Sequence, residues 1–105
     1  MKTQNHILNR IREAVNKAEP SATVILYGSH ARGDARPDSD IDVLVLVDKE
    51  NITRELEKQI KYPLYEIEFE TGKIISPIVL SRSEWLNRHK ATPFFRNVSE
   101  TGVTL

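Results

Sequence analysis

The run Asp40-Ile41-Asp42-Val43-Leu44-Val45-Leu46-Val47 limits what this chain can fold into more than any other segment. From Ile41 onward every residue but Asp42 is apolar, and β-branched residues recur at alternate positions, the composition of a β-strand. Side chains alternate along a strand, so Ile41, Val43, Val45 and Val47 share one face while Asp40, Asp42, Leu44 and Leu46 share the other. Two further segments read as strands: Thr23-Val24-Ile25-Leu26-Tyr27, short and β-branched, and Ile74 to Leu80. A Gly28-Ser29 turn follows the first. The polar stretch from His30 to Ser39, with Gly33 and Pro37, reads as a loop holding at most one helical turn.

Helical spacing appears on either side of these strands. Ile7, Leu8, Ile11, Ala14, Val15 and Ala18 follow the one-face series of a helix, which Pro20 ends because proline has no N–H to donate to the previous turn. Leu56, Ile60, Leu64 and Ile67 suggest a second helix that Pro63 should break or kink; the alternative is a strand through Leu64 to Phe69, hairpinned at Thr71-Gly72. Ser83 is placed to cap a short helix through Glu84-Trp85-Leu86, and Thr92-Pro93-Phe94-Phe95 opens a last one that Thr101-Gly102 closes. The order α-β-β-α-β-α-α implies an α/β (α+β) fold: one small mixed sheet flanked by helices, in a single domain over residues 1–105.

Composition removes several function classes. Fifteen basic residues balance fifteen acidic ones, and with no basic tract this disfavours nucleic acid as a partner and a charged membrane surface as a support. There is no cysteine, so neither a disulfide scaffold nor a thiolate zinc site can form. No run approaches the ~20 apolar residues of a membrane span, and the polar start Met1-Lys2-Thr3-Gln4-Asn5-His6 lacks a signal peptide's apolar core, so a cytoplasmic protein is expected.

The chemistry is concentrated in Leu26-Tyr27-Gly28-Ser29-His30-Ala31-Arg32-Gly33 and Asp40-Ile41-Asp42, with ten residues between Ser29 and Asp40. Carboxylates two apart at the start of a strand project on the same side, and like charges that close repel unless something positive lies between them. Magnesium does this, and it takes oxygen ligands together with substrate phosphates. A Gly-Ser turn arriving from a neighbouring strand offers backbone N–H groups and a hydroxyl to those phosphates, with no Cβ to hold them off. Either piece alone reads more simply as a solvated strand edge or an ordinary turn. Their conjunction on adjacent apolar strands favours the functional reading.

Competing motifs fail on particular residues. Gly28 and Gly33 have Walker-loop spacing, but Asp34-Ala35 stands where Lys and Ser/Thr are needed. An EF-hand starting at Asp38 would have Val43 in place of its glycine and Lys49 in place of its bidentate Glu. His6, His30 and His89 lack metal-ligand spacing and read as surface residues. Asn51-Ile52-Thr53 and Asn97-Val98-Ser99 match glycosylation acceptors that carry no meaning without secretion.

The joined pattern, Gly28-Ser29, ten residues, then Asp40-Ile41-Asp42 between apolar strands, resembles the DNA polymerase β-type nucleotidyltransferase superfamily, and within it the minimal nucleotidyltransferase (MNT) proteins. The resemblance extends to the Ile75-Ser76-Pro77-Ile78 strand and, less specifically, to the tail from Pro93-Phe94-Phe95 to Gly102-Val103. It implies the nucleotidyltransferase fold, a nucleoside triphosphate with Mg2+, and transfer of a nucleoside monophosphate, AMP from ATP, to a protein acceptor. It also implies a helical HEPN-type partner in a toxin–antitoxin pair, and leaves open whether the chain forms an oligomer. By the same resemblance, Gly28 and Ser29 match the phosphate-holding turn, Arg32 stands where a cation reaches phosphate oxygens, and Asp40 and Asp42 match the catalytic, metal-binding carboxylates. Catalytic members carry a third carboxylate on a later strand. Here that strand offers Ser76, and Glu68 or Glu70 could substitute only if Leu64 to Phe69 were a strand beside the site. The departure keeps a rival in view: a non-catalytic protein of this fold that neutralises its partner by occlusion.

Overall fold

The computed structural model describes residues 2–88 and 90–105. Helix α1 (Lys2–Ala18) leads to β1 (Thr23–Tyr27), a single helical turn α2 (Ser29–Arg32) and β2 (Ile41–Val47). Helix α3 (Arg54–Thr71), β3 (Ile75–Ser81), α4 (Arg82–Arg88), α5 (Pro93–Thr101) and the two-residue β4 (Val103–Thr104) complete the chain. The strands form one mixed sheet in the order β3-β2-β1-β4, with β2 and β3 parallel and both β1 pairings antiparallel. The mixed sheet and flanking helices are those expected from the sequence. No helix among the described residues is long and apolar enough to cross a membrane.

β2 is an inner strand with apolar side chains on both faces, and both faces are covered. Ile41, Val43, Val45 and Val47 pack with Val24 and Leu26 of β1 under α1 and α3, through Ile7, Ile11, Val15, Leu56, Ile60, Leu64 and Ile67. On the other side Leu44 and Leu46 form a smaller core with Trp85 of α4 and Val98 of α5, edged by Ile25, Tyr27, Leu80, Phe94 and Phe95. The aromatic rings there form a chain: Trp85 lies 4.8 Å from Phe95 and edge-on to Phe94 at 5.5 Å, and Phe94 meets Tyr27 edge-on at 5.2 Å.

Several expectations give way to the structure. Helix α3 runs unbroken past Pro63, and the strand alternative for Leu64 to Phe69 is wrong. Leu56, Ile60, Leu64 and Ile67 all point into one core, and that burial outweighs the hydrogen bond Pro63 cannot make. Gln59, whose carbonyl loses that donor, is exposed and can turn to water. The α4 cap is Ser81, not Ser83: the Glu84 N–H donates to Ser81 Oγ at 3.0 Å, and Ser81 is almost wholly buried. Thr53, part of one apparent glycosylation acceptor, caps α3 by accepting from the Leu56 N–H at 3.1 Å. Gly102 closes α5 as expected, in an extended conformation; a Cβ there would press on the Val98 carbonyl and lie 2.9 Å from Ile25 Cγ2. α2 is the helical turn anticipated in the loop after Gly28, while β4, two exposed residues, had no sequence signal.

Candidate functional site

The end of β1 and the starts of β2 and β3 lie at one end of the sheet, and their register brings the singled-out residues together. Asp42 is opposite Tyr27 on β1 and opposite Ser76 on β3. It projects on the Leu44 side, towards α4 and α5, away from α1 and α3. Gly28 follows Tyr27 with φ 76° and ψ −154°, a conformation open essentially to glycine alone. A Cβ on Gly28 would sit 2.6 Å from Asp42 Oδ2. The turn and the carboxylate are thus in direct apposition, and glycine is required there twice, for backbone shape and for space.

The chain turns sharply after Gly28. Its carbonyl accepts from the Ala31 and Arg32 N–H groups, both at 3.1 Å, and the Ser29 carbonyl accepts from Gly33 and Asp34 at 3.0 and 3.1 Å. Gly33, left-handed at φ 85°, then releases the chain into the loop that carries Asp40. Three contacts tie that loop down. His30 Nε2 lies 3.2 Å from the Ser39 carbonyl, the Arg36 N–H donates to Ser39 Oγ at 2.8 Å, and Lys73 Nζ donates to the Pro37 carbonyl at 2.7 Å. His30 is therefore not the plain surface residue its spacing suggested, because its ring anchors the residue before Asp40. His6 is exposed, and His89 lies outside the described residues.

Charge at the site centres on Asp42. Burial first, and the Asp40 carboxylate second, push its pKa above the ordinary aspartate value, while His30 and Arg32 pull it down. Burial and Asp42 together raise the Tyr27 phenol. Arg32 is half-exposed and only loosely held, with Nε 3.4 Å from Asp34 Oδ2. Asp40 is exposed and Asp42 half-buried. Tyr27 and His30 are the members the sequence reading passed over. Tyr27 was legible as the strand residue before the turn, whereas His30's role depends on a loop closure that spacing does not encode.

Neither candidate for a third carboxylate reaches this place. Glu68 accepts from the Ile75 N–H at 2.9 Å, on the α3 side of the sheet. Glu70 accepts from Arg10 Nη2 at 2.6 Å, between α3 and α1. Ser76 occupies the β3 position level with Asp42. Among the described residues no group of three or more His, Cys, Asp or Glu side chains could hold a metal ion. What the site offers is two carboxylates, a glycine-led turn and the half-exposed guanidinium of Arg32. A magnesium ion that keeps waters and takes phosphate oxygens needs no more protein than one or two carboxylates.

Known proteins resemble this chain in sequence and in fold. A Methanocaldococcus jannaschii protein named as a protein adenylyltransferase is 41% identical over 61 residues, which are 57% of this chain and 60% of that one. The match thus spans less than two thirds of the relative's length. A chain of a toxin–antitoxin complex solved with AMP-PNP superposes at TM-score 0.65 and 18% identity, over 91% of this chain and 69% of its own. A chain of the complex between tri-AMPylated Shewanella oneidensis HEPN toxin and MNT antitoxin gives 0.62 and 17%, over 96% and 70%. At such identities the likeness is one of fold. The family sequence model described as nucleotidyltransferase domain matches residues 8–90, a span that takes in the Gly28 turn, both carboxylates, α3 and β3. On that match the chain belongs to the nucleotidyltransferase domain family.

Proposed function

We propose that this nucleotidyltransferase transfers AMP from ATP, with Mg2+, to a hydroxyl of a helical, HEPN-type partner protein. The observation that carries the reading is the apposition of Gly28 and Asp42, where a Cβ would come within 2.6 Å of the carboxylate oxygen. A phosphate held by the turn is thereby held against the carboxylates. Support for adenylyl as the group, and for a protein as the acceptor, comes from the relative named as a protein adenylyltransferase and from the fold neighbours solved with AMP-PNP or with an AMPylated HEPN toxin. The cytoplasm, which supplies ATP, is the compartment this reading assigns.

Roles follow from position. The backbone of the Gly28 turn and the Ser29 hydroxyl bind triphosphate oxygens, and Arg32, free to swing from Asp34, adds charge to that grip. Asp40 and Asp42 would hold the magnesium ion, which when bound offsets charge developing on the α-phosphate and the departing pyrophosphate. His30 and Lys73 hold the loop that leads into Asp40.

One observation favours a second reading, occlusion of the partner without transfer: Ser76, not a carboxylate, is level with Asp42, and Glu68 and Glu70 are engaged elsewhere. A carboxylate that accepts the acceptor's proton contributes roughly a hundred- to ten-thousandfold in rate. Label transfer from α-labelled ATP to a co-purified partner separates the two. The proposal expects measurable transfer by the natural chain, abolished by Asp40→Asn with Asp42→Asn and increased by Ser76→Asp. No transfer by any variant, with partner inhibition intact, would leave occlusion as the function.

A further inference from the structure

Beside the site, part of β3 lies open. Side chains alternate along this strand, so Ile75 and Val79 pack into the core under α1 and α3, while Ser76 and Leu80 face the other side with Asp42 and Leu44. Leu80 is covered by the aromatic core of α4 and α5. Ile74 and Ile78, which flank Ser76 on that same face, are 54% and 37% exposed. Single exposed apolar side chains are ordinary. These two share a strand face and bracket the residue level with Asp42.

Strand order says what covers them. β2 lies between β1 and β3, so the turn after Tyr27 and the open strip of β3 are on opposite sides of Asp42. With the triphosphate held on that turn, pyrophosphate departs towards β1. Attacking and leaving oxygens stand in line across the phosphorus, so the acceptor oxygen arrives from the β3 side, over Ser76. The edge of β3 is at the same time closed to an added strand. Its Ile75 N–H is taken by Glu68 Oε1 at 2.9 Å, and Pro77 has none to offer. Whatever docks here is held by side chains.

We propose that Ile74 and Ile78 dock the partner's acceptor segment, and that this segment carries its reacting hydroxyl between two apolar side chains. The inference rests on the adenylyl-transfer reading above. At about 3.3 Å per residue, each isoleucine stands about 7 Å from Ser76. That is close to the spacing a helix gives residues one turn before and one turn after a hydroxyl-bearing one. The acceptor oxygen bonds to the α-phosphorus as the bond to pyrophosphate breaks, and its proton leaves to water on the open side of the sheet.

The test measures label transfer from α-labelled ATP against the concentration of the co-purified partner, and AMP-PNP binding with Mg2+ by calorimetry. Ile74→Gln with Ile78→Gln should raise KM for the partner about tenfold, with kcat and AMP-PNP affinity close to natural. Ile74→Gln alone, at the more exposed position, should give part of that rise and decides the matter if the pair fails to bind AMP-PNP. Independently, a photo-crosslinker at Ile78 (Ile78→p-benzoylphenylalanine) should capture the partner peptide that bears the adenylylated hydroxyl, and the same change at Phe69 on α3 should not. Crosslinking at Ile78 with no transfer by the natural chain would overturn transfer as the function and leave the docking strip standing. Transfer with an unchanged partner KM in the Gln variants, or capture of that peptide at Phe69 and not at Ile78, would overturn the docking strip and leave transfer standing.

Discussion

At Gly28 the backbone sits where φ is 76° and ψ −154°, and the missing Cβ is all that separates the turn from Asp42 Oδ2. Gly28→Ala should cost about 1–3 kcal/mol in stability from backbone strain alone. It should also remove ATP binding, because the new methyl group occupies the space between turn and carboxylate; thermal melts with and without ATP and Mg2+ measure both effects. Asp42 gives a pH signature whose sign is fixed by its surroundings. Burial, then Asp40, raise its pKa in the folded state, so the folded chain holds that proton more tightly than the unfolded one. The resulting stabilisation is complete below the ordinary aspartate value of about 3.9 and is lost as pH rises through the raised folded value. Asp42→Asn should accordingly melt higher than the natural chain at neutral pH, with the gap closing on acidification below the ordinary value. Magnesium with ATP should reverse the order at neutral pH, since a ligand that binds only the folded natural chain stabilises it by mass action. An Asn variant that melts lower at neutral pH would contradict this account of Asp42.

Among the elements, α3 shows what the sequence reveals and what it hides. The spacing of Leu56, Ile60, Leu64 and Ile67 was enough to place a helix, but Pro63 pointed to a break or kink and kept a hairpinned strand in view as the lesser alternative, because a local rule cannot weigh four buried side chains against one lost hydrogen bond. If that balance is right, Pro63→Ala should stabilise the chain by about 1–3 kcal/mol, less than or equal to the full helix-interior penalty of proline. A rise in denaturant midpoint would show it, and a fall would mean that ring packing beside α1 outweighs the missing donor. Ser81 and β4 were hidden for other reasons. Ser81 and Ser83 both stand close to the junction of β3 and α4, and which one caps depends on where β3 stops. Val103 and Thr104 form a strand only because β1 has a free edge to receive them. The site was more legible than these details, since Gly28, Asp40 and Asp42 carry their pattern in the chain itself. Ser76 could be aligned with Asp42 only on the strength of a resemblance, and parallel pairing supplies the physical reason.

Across the whole molecule the sheet divides labour between its sides. The side under α1 and α3 is aliphatic and closed, and it carries most of the buried core. The side under α4 and α5 is smaller and aromatic, and it ends at the site. The ring chain there gives the protein a property separate from its chemistry. Trp85 is the sole tryptophan, it is buried, and it reaches the site through two edge-on ring contacts, Trp85 to Phe94 and Phe94 to Tyr27. Excited selectively, its indole emission should therefore shift in wavelength or intensity when ATP and Mg2+ settle beside Asp42. Phe94→Leu should silence that signal while leaving nucleotide affinity nearly unchanged, as stopped-flow fluorescence beside calorimetry would register. The aromatic stack makes the chain its own optical reporter, able to time nucleotide arrival without a label.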